Sequence, residues 1–103
     1  MIDFIAQKQN GIAEHCQRLN VRKLEVFGSA ARGHDFDPEK SDIDFLVEFG
    51  RHEHLNAFDQ YFDLVESLEA LFNRKVDLLE ARPFKNPYFR ASVEASREPV
   101  YVA

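Results

Sequence analysis

The stretch VFGSAARGHDFDPEKSDIDFLVEF, residues 26–49, sets Asp42 and Asp44 two positions apart in a run otherwise apolar enough to be a buried strand. Side chains two apart on a strand point to the same face, so the two carboxylates project together while Ile43 and Phe45 go to the other side. A carboxylate buried without a partner costs several kcal/mol, so a fold that accepts this stretch has to bring a cation to it. A third acid, Asp77, sits between Val76 and Leu78 in KVDLLE, a second strand-like segment.

The rest of the chain supplies the frame. Ile2, Ile5, Ile12, Cys16 and Leu19 recur at near-helical spacing over residues 2–19, with Gly11 weakening that helix. VRKLEVF, residues 21–27, alternates as a strand does. Ser29 is placed to cap a short helix in SAARG, and HDFDPEKS has the composition of an exposed loop. DIDFLVEF reads as a mostly buried strand. Leu55, Phe58, Phe62, Val65, Leu68 and Phe72 repeat every three or four positions, which predicts an amphipathic helix whose phenylalanine stripe faces the core. Asn86 and Pro87 open a last helix, and EPVYV closes the chain as an edge-like strand. The order predicts an α/β fold, with α+β as the alternative: a small mixed sheet with helices packed mainly on one face.

A chain of 103 residues is sized for one core, so residues 1–103 are expected to form a single domain. Eighteen acidic against thirteen basic residues give a formal charge of -5, which disfavours a nucleic-acid partner. The N-terminus carries Asp3 and no long apolar segment, unlike a signal peptide or membrane span. Cys16 is the only cysteine and has no internal disulfide partner; these features together favour the cytoplasm.

Two like charges so close raise each other's pKa unless a cation intervenes, and carboxylate oxygens suit Mg²⁺, which prefers a few acids plus substrate phosphates. Asp42, Asp44 and Asp77 on neighbouring strands could hold two such ions, the arrangement used for in-line phosphoryl or nucleotidyl transfer. Gly28 and Ser29 offer a phosphate a close backbone approach and a hydroxyl, and the N–H groups of the helix that follows attract anions.

FGSAARG followed by SDIDFLV resembles the G-S and D-x-D motifs of the DNA polymerase β-like nucleotidyltransferase superfamily. The fuller pattern GSxARG, SDIDFLVEF, VDLL is similar to the minimal nucleotidyltransferases that act as antitoxins beside HEPN toxins, and the likeness runs from Val21 to the C-terminus. It implies the polymerase β-like fold, Asp42 and Asp44 as ligands of two Mg²⁺ ions, and Asp77 as third acid and base for the acceptor hydroxyl. It also implies ATP held by Gly28, Ser29 and Arg32. It implies transfer of AMP to a tyrosine of a HEPN-family toxin, with which the chain would form a hetero-oligomer. Ala30 departs from relatives that carry a larger or basic residue there. A binding-only antitoxin and a transferase acting on a small molecule are the alternative functions; the short chain, with no second domain to enclose an acceptor, favours a protein partner.

Plainer readings stand beside these. GSAARG is no P-loop, since Gly33 is followed by His34 and Asp35 where Lys and Ser or Thr are required. Asp42 and Asp44 could pair with Arg22 or Arg32, Arg32 could anchor its loop rather than touch phosphate, and Asp77 could be a solvent-facing residue of an edge strand. His52 and His54 lack a second pair of ligands and read as solvated loop residues rather than a zinc site.

Overall fold

The alternation of VRKLEVF produces strand β1, Val21–Phe27, and everything else is arranged about it. The computed structural model describes residues 3–32, 37, 42–81 and 86–103. In chain order these residues form α1 (Asp3–Ala6), α2 (Gln9–Arg18), β1, α3 (Ser29–Arg32), β2 (Ile43–Phe49), α4 (Ala57–Phe72), β3 (Val76–Glu80), α5 (Pro87–Ser96) and β4 (Glu98–Val102). A four-stranded sheet runs in the order β3-β2-β1-β4. β1 is antiparallel to both β2 and β4, whereas β2 and β3 are parallel, joined by α4 as their crossover. The mixed sheet anticipated from the element order is what forms. The loop expected over 34–41 lies, apart from Asp37, outside the described residues.

Local side-chain and backbone signals close the helix ends, at Asn86 as expected and at Asn56 and Asn73 in addition. The Asn56 side chain accepts a hydrogen bond from the Asp59 amide at the start of α4, and Asn73 adopts a left-handed conformation at its end. Asn86 caps α5 by accepting from the amides of Tyr88 and Phe89, with Pro87 in the first turn. The N-terminal helix differs from expectation. It breaks at residues 7–8 into α1 and α2, and Phe4 on the first piece packs its ring 5.6 Å from that of Phe72. Gly11 does not end α2. A Cβ there would meet the end of the Leu71 side chain at 2.9 Å, so α4 packs closely over the glycine.

The alternation of the strands divides the sheet into two unequal faces. Leu24, Val26, Ile43, Phe45, Val47, Val76 and Leu78 face α1, α2 and α4 and form the main core with Ile5, Ile12, Cys16, Leu64, Leu68 and Phe72. Phe27, Leu46 and Leu79 face the other way and pack against Val93 of α5, the exception to helices gathered on one side. Gln60 is buried in the main layer, where its amide nitrogen donates to the carbonyls of Leu19 and Gly50. The helical stripe of α4 turns out rotated from expectation. Leu64, Leu68 and Phe72 go inward, while Phe58 and Phe62 are 68% and 45% exposed.

On the α5 side Glu25 is buried and clamped by Arg97, whose Nε donates to Oε2 at 3.0 Å and whose second nitrogen reaches Oε1. The Arg97 hydrogen bonds hold the Glu25 carboxyl below the usual glutamate value. The unfolded chain therefore takes up this proton first as pH falls. The stabilisation is complete above the ordinary glutamate range and is lost as pH drops through the lowered folded value. Arg97→Ala should cost about 1.5–3 kcal/mol in urea unfolding at neutral pH. Glu25→Gln should flatten the loss of stability seen when the same titration is repeated in acid. A wild-type acid profile in Glu25→Gln would show that the pair contributes nothing.

Candidate functional site

The register of the sheet sets Phe27, Asp44 and Asp77 side by side on β1, β2 and β3. Facing residues of neighbouring strands share a face, so Asp44 and Asp77 stand together on the side opposite the main core. Their carboxylates are close enough for each to act on the other. Asp44 is half-buried, and its pKa is pushed up to about 6, first by burial, then by the charge and hydrogen bond of Asp77 and the charge of Asp42. Arg32 pulls weakly the other way, which places its guanidinium within electrostatic reach of Asp44.

Asp42 behaves differently from its neighbour. It precedes β2, which begins at Ile43, and one of its carboxylate oxygens lies 4.0 Å from the Lys75 ammonium. The Ile43 amide donates to the Lys75 carbonyl, so the same junction that leads into β3 also supplies the cation. Among the described residues no three His, Cys, Asp or Glu side chains converge tightly enough to hold a metal ion as they stand. Asp44 and Asp77 are brought together; Asp42 is adjacent but turned to Lys75. The donor chemistry of the pair nevertheless fits a hard divalent cation, being all carboxylate oxygen and carrying a charge penalty that a cation would relieve.

The turn after β1 is built around these acids. Gly28 has φ +71°, and a Cβ at this position would lie 2.6 Å from Oδ2 of Asp44. Both the left-handed backbone and the approach of the carboxylate therefore demand glycine. The Gly28 carbonyl accepts from the amides of Ala31 and Arg32, so Gly28 fills the capping position and Ser29, half-buried, is the first residue of α3. The cap expected at Ser29 is displaced by one residue because the backbone carbonyl already closes the turn. The Gly28 amide donates to the Ser96 hydroxyl at 2.9 Å, and that hydroxyl donates to the Ser92 carbonyl. Ser96 has no short-range signal in the sequence; it reaches the turn only because α5 lies across this face.

Asp44 and Asp77 open into a cleft of about 520 Å³, walled by Tyr61, Phe62 and Val65 of α4 and by Phe89 of α5. The Tyr61 hydroxyl donates to the Leu78 carbonyl, and burial followed by the charges of Glu80 and Asp77 raises its pKa, so it stays protonated. Asp77 is exposed on edge strand β3, as the plainer reading expected, and is also part of the acid pair. A cleft of about 550 Å³ lies at the far ends of β2 and β3 and includes His52 and Gln60. Nδ1 of His52 accepts from the amides of His54 and Leu55, which leaves Nε2–H to donate to the Arg18 carbonyl. Both ring nitrogens are committed, so His52 is a loop staple rather than a solvated side chain or a zinc ligand.

The profile of the family described as nucleotidyltransferase domain matches residues 10–100. A Methanocaldococcus jannaschii protein, provisionally named a protein adenylyltransferase, is 39% identical over 77 residues, 75% of this chain and 74% of its own length. The protein adenylyltransferase MntA of Thermococcus cleftensis is 37% identical over 86 residues, 84% of this chain and 79% of its own. A solved structure provisionally described as a minimal nucleotidyltransferase superposes with a TM-score of 0.70 at 29% identity, covering 94% of this chain and 93% of that one. A chain of the Shewanella oneidensis complex of tri-AMPylated HEPN toxin with MNT antitoxin shares the fold, with a TM-score of 0.62 at 17% identity over 96% of this chain and 73% of that one.

Charged Asp44 weakens the fold at neutral pH. Its penalty is present above the raised pKa of about 6 and absent below the ordinary aspartate value of 3.8. At full weight such a shift is worth about 3 kcal/mol, and at a half-exposed group about 1–2 kcal/mol survives solvent screening. Asp44→Asn should therefore raise the urea midpoint at pH values above the folded pKa and lose that advantage in acid. Gly28→Ala should destabilise by about 1–3 kcal/mol through strain at positive φ and displacement of the carboxylate. An Asp44→Asn protein less stable than wild type at neutral pH would contradict the repulsion described here.

Proposed function

Because the chain belongs to the nucleotidyltransferase domain family, in the group of its minimal members, we propose that it transfers AMP from ATP to a tyrosine hydroxyl of a HEPN-family toxin. On this reading it works as an antitoxin, bound to that toxin in the cytoplasm. The observation that carries the reading is the Asp44–Asp77 pair lying against the Gly28 turn, within a chain 37% identical to a protein adenylyltransferase. Among the described residues no helix is long and apolar enough to cross a membrane.

Asp44 and Asp77 would hold Mg²⁺ together with Asp42, which has to exchange Lys75 for the ion. When bound, a pair of such ions steadies the leaving phosphates and lowers the pKa of the attacking oxygen. Gly28 presents its backbone to the triphosphate without a side chain in the way, and Ser29 and Arg32 contribute a hydroxyl and a positive charge from α3. Ser96 keeps the turn in place by accepting the Gly28 amide. Asp77, on an open edge strand, can be reached by an acceptor hydroxyl, whose proton it would take. Phe27 and the aromatic wall of the cleft would shield one side of the acids from water once an acceptor covers them.

ATP should bind in calorimetry with Mg²⁺ present and lose most of its affinity in chelator, since the acids repel a triphosphate that no cation neutralises. Asp42→Asn combined with Asp44→Asn should abolish AMP transfer, read by mass spectrometry of the toxin, while the fold and toxin binding persist. Cells making the toxin with this variant should stall. Protection at wild-type expression would favour the rival reading, an antitoxin that works by binding alone. Equal ATP affinity in Mg²⁺ and in chelator would remove the metal from the scheme.

A further inference from the structure

The α4 stripe that turns away from the core leads into the acid cleft. Phe58 and Phe62 are one helical turn apart, with ring centroids 4.5 Å from each other, and both are exposed. Phe62 also walls the cleft that holds Asp44 and Asp77, and Phe89, 40% exposed on α5, stands on that cleft too. On the outer side Phe58 and Phe62 border a shallow depression with Asp59, Asp63 and Glu66. Neither lining includes a Lys or Arg among the described residues. Asp63 is already paired with Arg18, so Asp59 and Glu66 dominate the outer rim.

Two large aromatic rings held in water beside an active cleft are an unfavourable arrangement unless something covers them. Resting on the reading of this chain as a protein-modifying transferase, we infer that Phe58 and Phe62 dock the acceptor protein through an apolar segment flanked by Lys or Arg. The charge pattern selects this occupant. Acids around an aromatic centre attract a basic rim and repel nucleic acid, an anionic lipid surface or a second copy of the same acidic face. Phe58 lies outside the lining of the cleft, so a nucleotide seated on the acids leaves it uncovered, whereas a protein segment delivering a hydroxyl to Asp77 crosses it. Rings central to an interface with charges around them are the usual anchors of binding.

The test uses the full chain and, as probe, a co-expressed HEPN-family toxin, the partner named in the proposed function. Phe58→Ala should keep the wild-type melting curve because the side chain is exposed. It should also weaken toxin binding by about tenfold or more, and Phe58→Glu should weaken it further. ATP affinity in Mg²⁺ should not change. Toxin affinity within about twofold of wild type for Phe58→Ala overturns the inference, even if Phe58→Glu fails to fold. So does a fall in ATP affinity, which would make the stripe a base platform, or a wild-type dimer dissolved by Phe58→Glu in sedimentation. A toxin that binds through Phe58 yet is never modified would sink the transfer reading and leave this surface standing. A toxin modified at wild-type rate and KM by the Phe58 variants would do the reverse. A toxin that is neither bound nor modified overturns both.

Discussion

The unfavourable proximity of Asp44 and Asp77 governs the architecture around it. Parallel pairing of β2 and β3 brings the two carboxylates into register, and antiparallel pairing of β1 sets Phe27 beside them. Burial and like charge together make the ionised pair costly, and they push the Asp44 carboxyl above the usual aspartate value. No stabilising purpose is served by such a pair, since an apolar residue at either position would pack better. The surrounding elements are fitted to it instead. Gly28 gives up a side chain so that Oδ2 of Asp44 can approach the turn, and Arg32 on the next helix offsets some of the charge.

The sheet separates this strain from the interactions that hold the chain folded. The face toward α1, α2 and α4 is almost wholly apolar, with Gln60 as a satisfied polar insertion tying the end of α2 to the end of β2. The opposite face carries the acids and, among the described residues, is covered by α5 and the residue after it, through Val93, Ser96 and Arg97. Each of those contacts fixes something the site needs. Val93 seals the apolar patch below the acids, Arg97 neutralises Glu25 on β1, and Ser96 holds the Gly28 amide.

The strands, α4 and α5 were readable in the sequence because each has a local cause: period-2 alternation, a repeat of three to four, and an Asn cap before Pro87. The acids were only half legible: Asp42 and Asp44 were expected to project together from one strand, but Asp42 precedes β2 and meets Lys75, and Asp44 stands beside Asp77 instead. What was misread has a tertiary cause. A helical stripe shows that one side of α4 is apolar without showing which part of it meets the sheet, so Phe58 and Phe62 were assigned to the core and are exposed. Ser29 has the composition of a cap, but the Gly28 carbonyl closes the turn first. His52 looked like a solvated residue, and its staple role depends on the Arg18 carbonyl, far away in sequence. Ser96 enters the site through α5, far from the motifs, and Lys75, though it opens the KVDLLE segment, meets Asp42 only through the β2–β3 junction.

Lys75 shows how the arrangement can tolerate its own acids before any ligand arrives. Its ammonium, 4.0 Å from Asp42, is an exposed partner on a flexible stem, and exposed pairs of this kind contribute little, typically below about 1 kcal/mol. A contact so weak can be exchanged for a divalent ion at small cost, whereas a buried Arg at the same place would compete with it. Asp44 is held differently, half-buried within β2 and set beside Asp77 by the register of the sheet. Asp42 is therefore the acid with the loosest hold. That combination suits the proposed metal role: a cation would relieve the pair whose charge the fold opposes most, and Asp42, released from Lys75, would complete the ligand set.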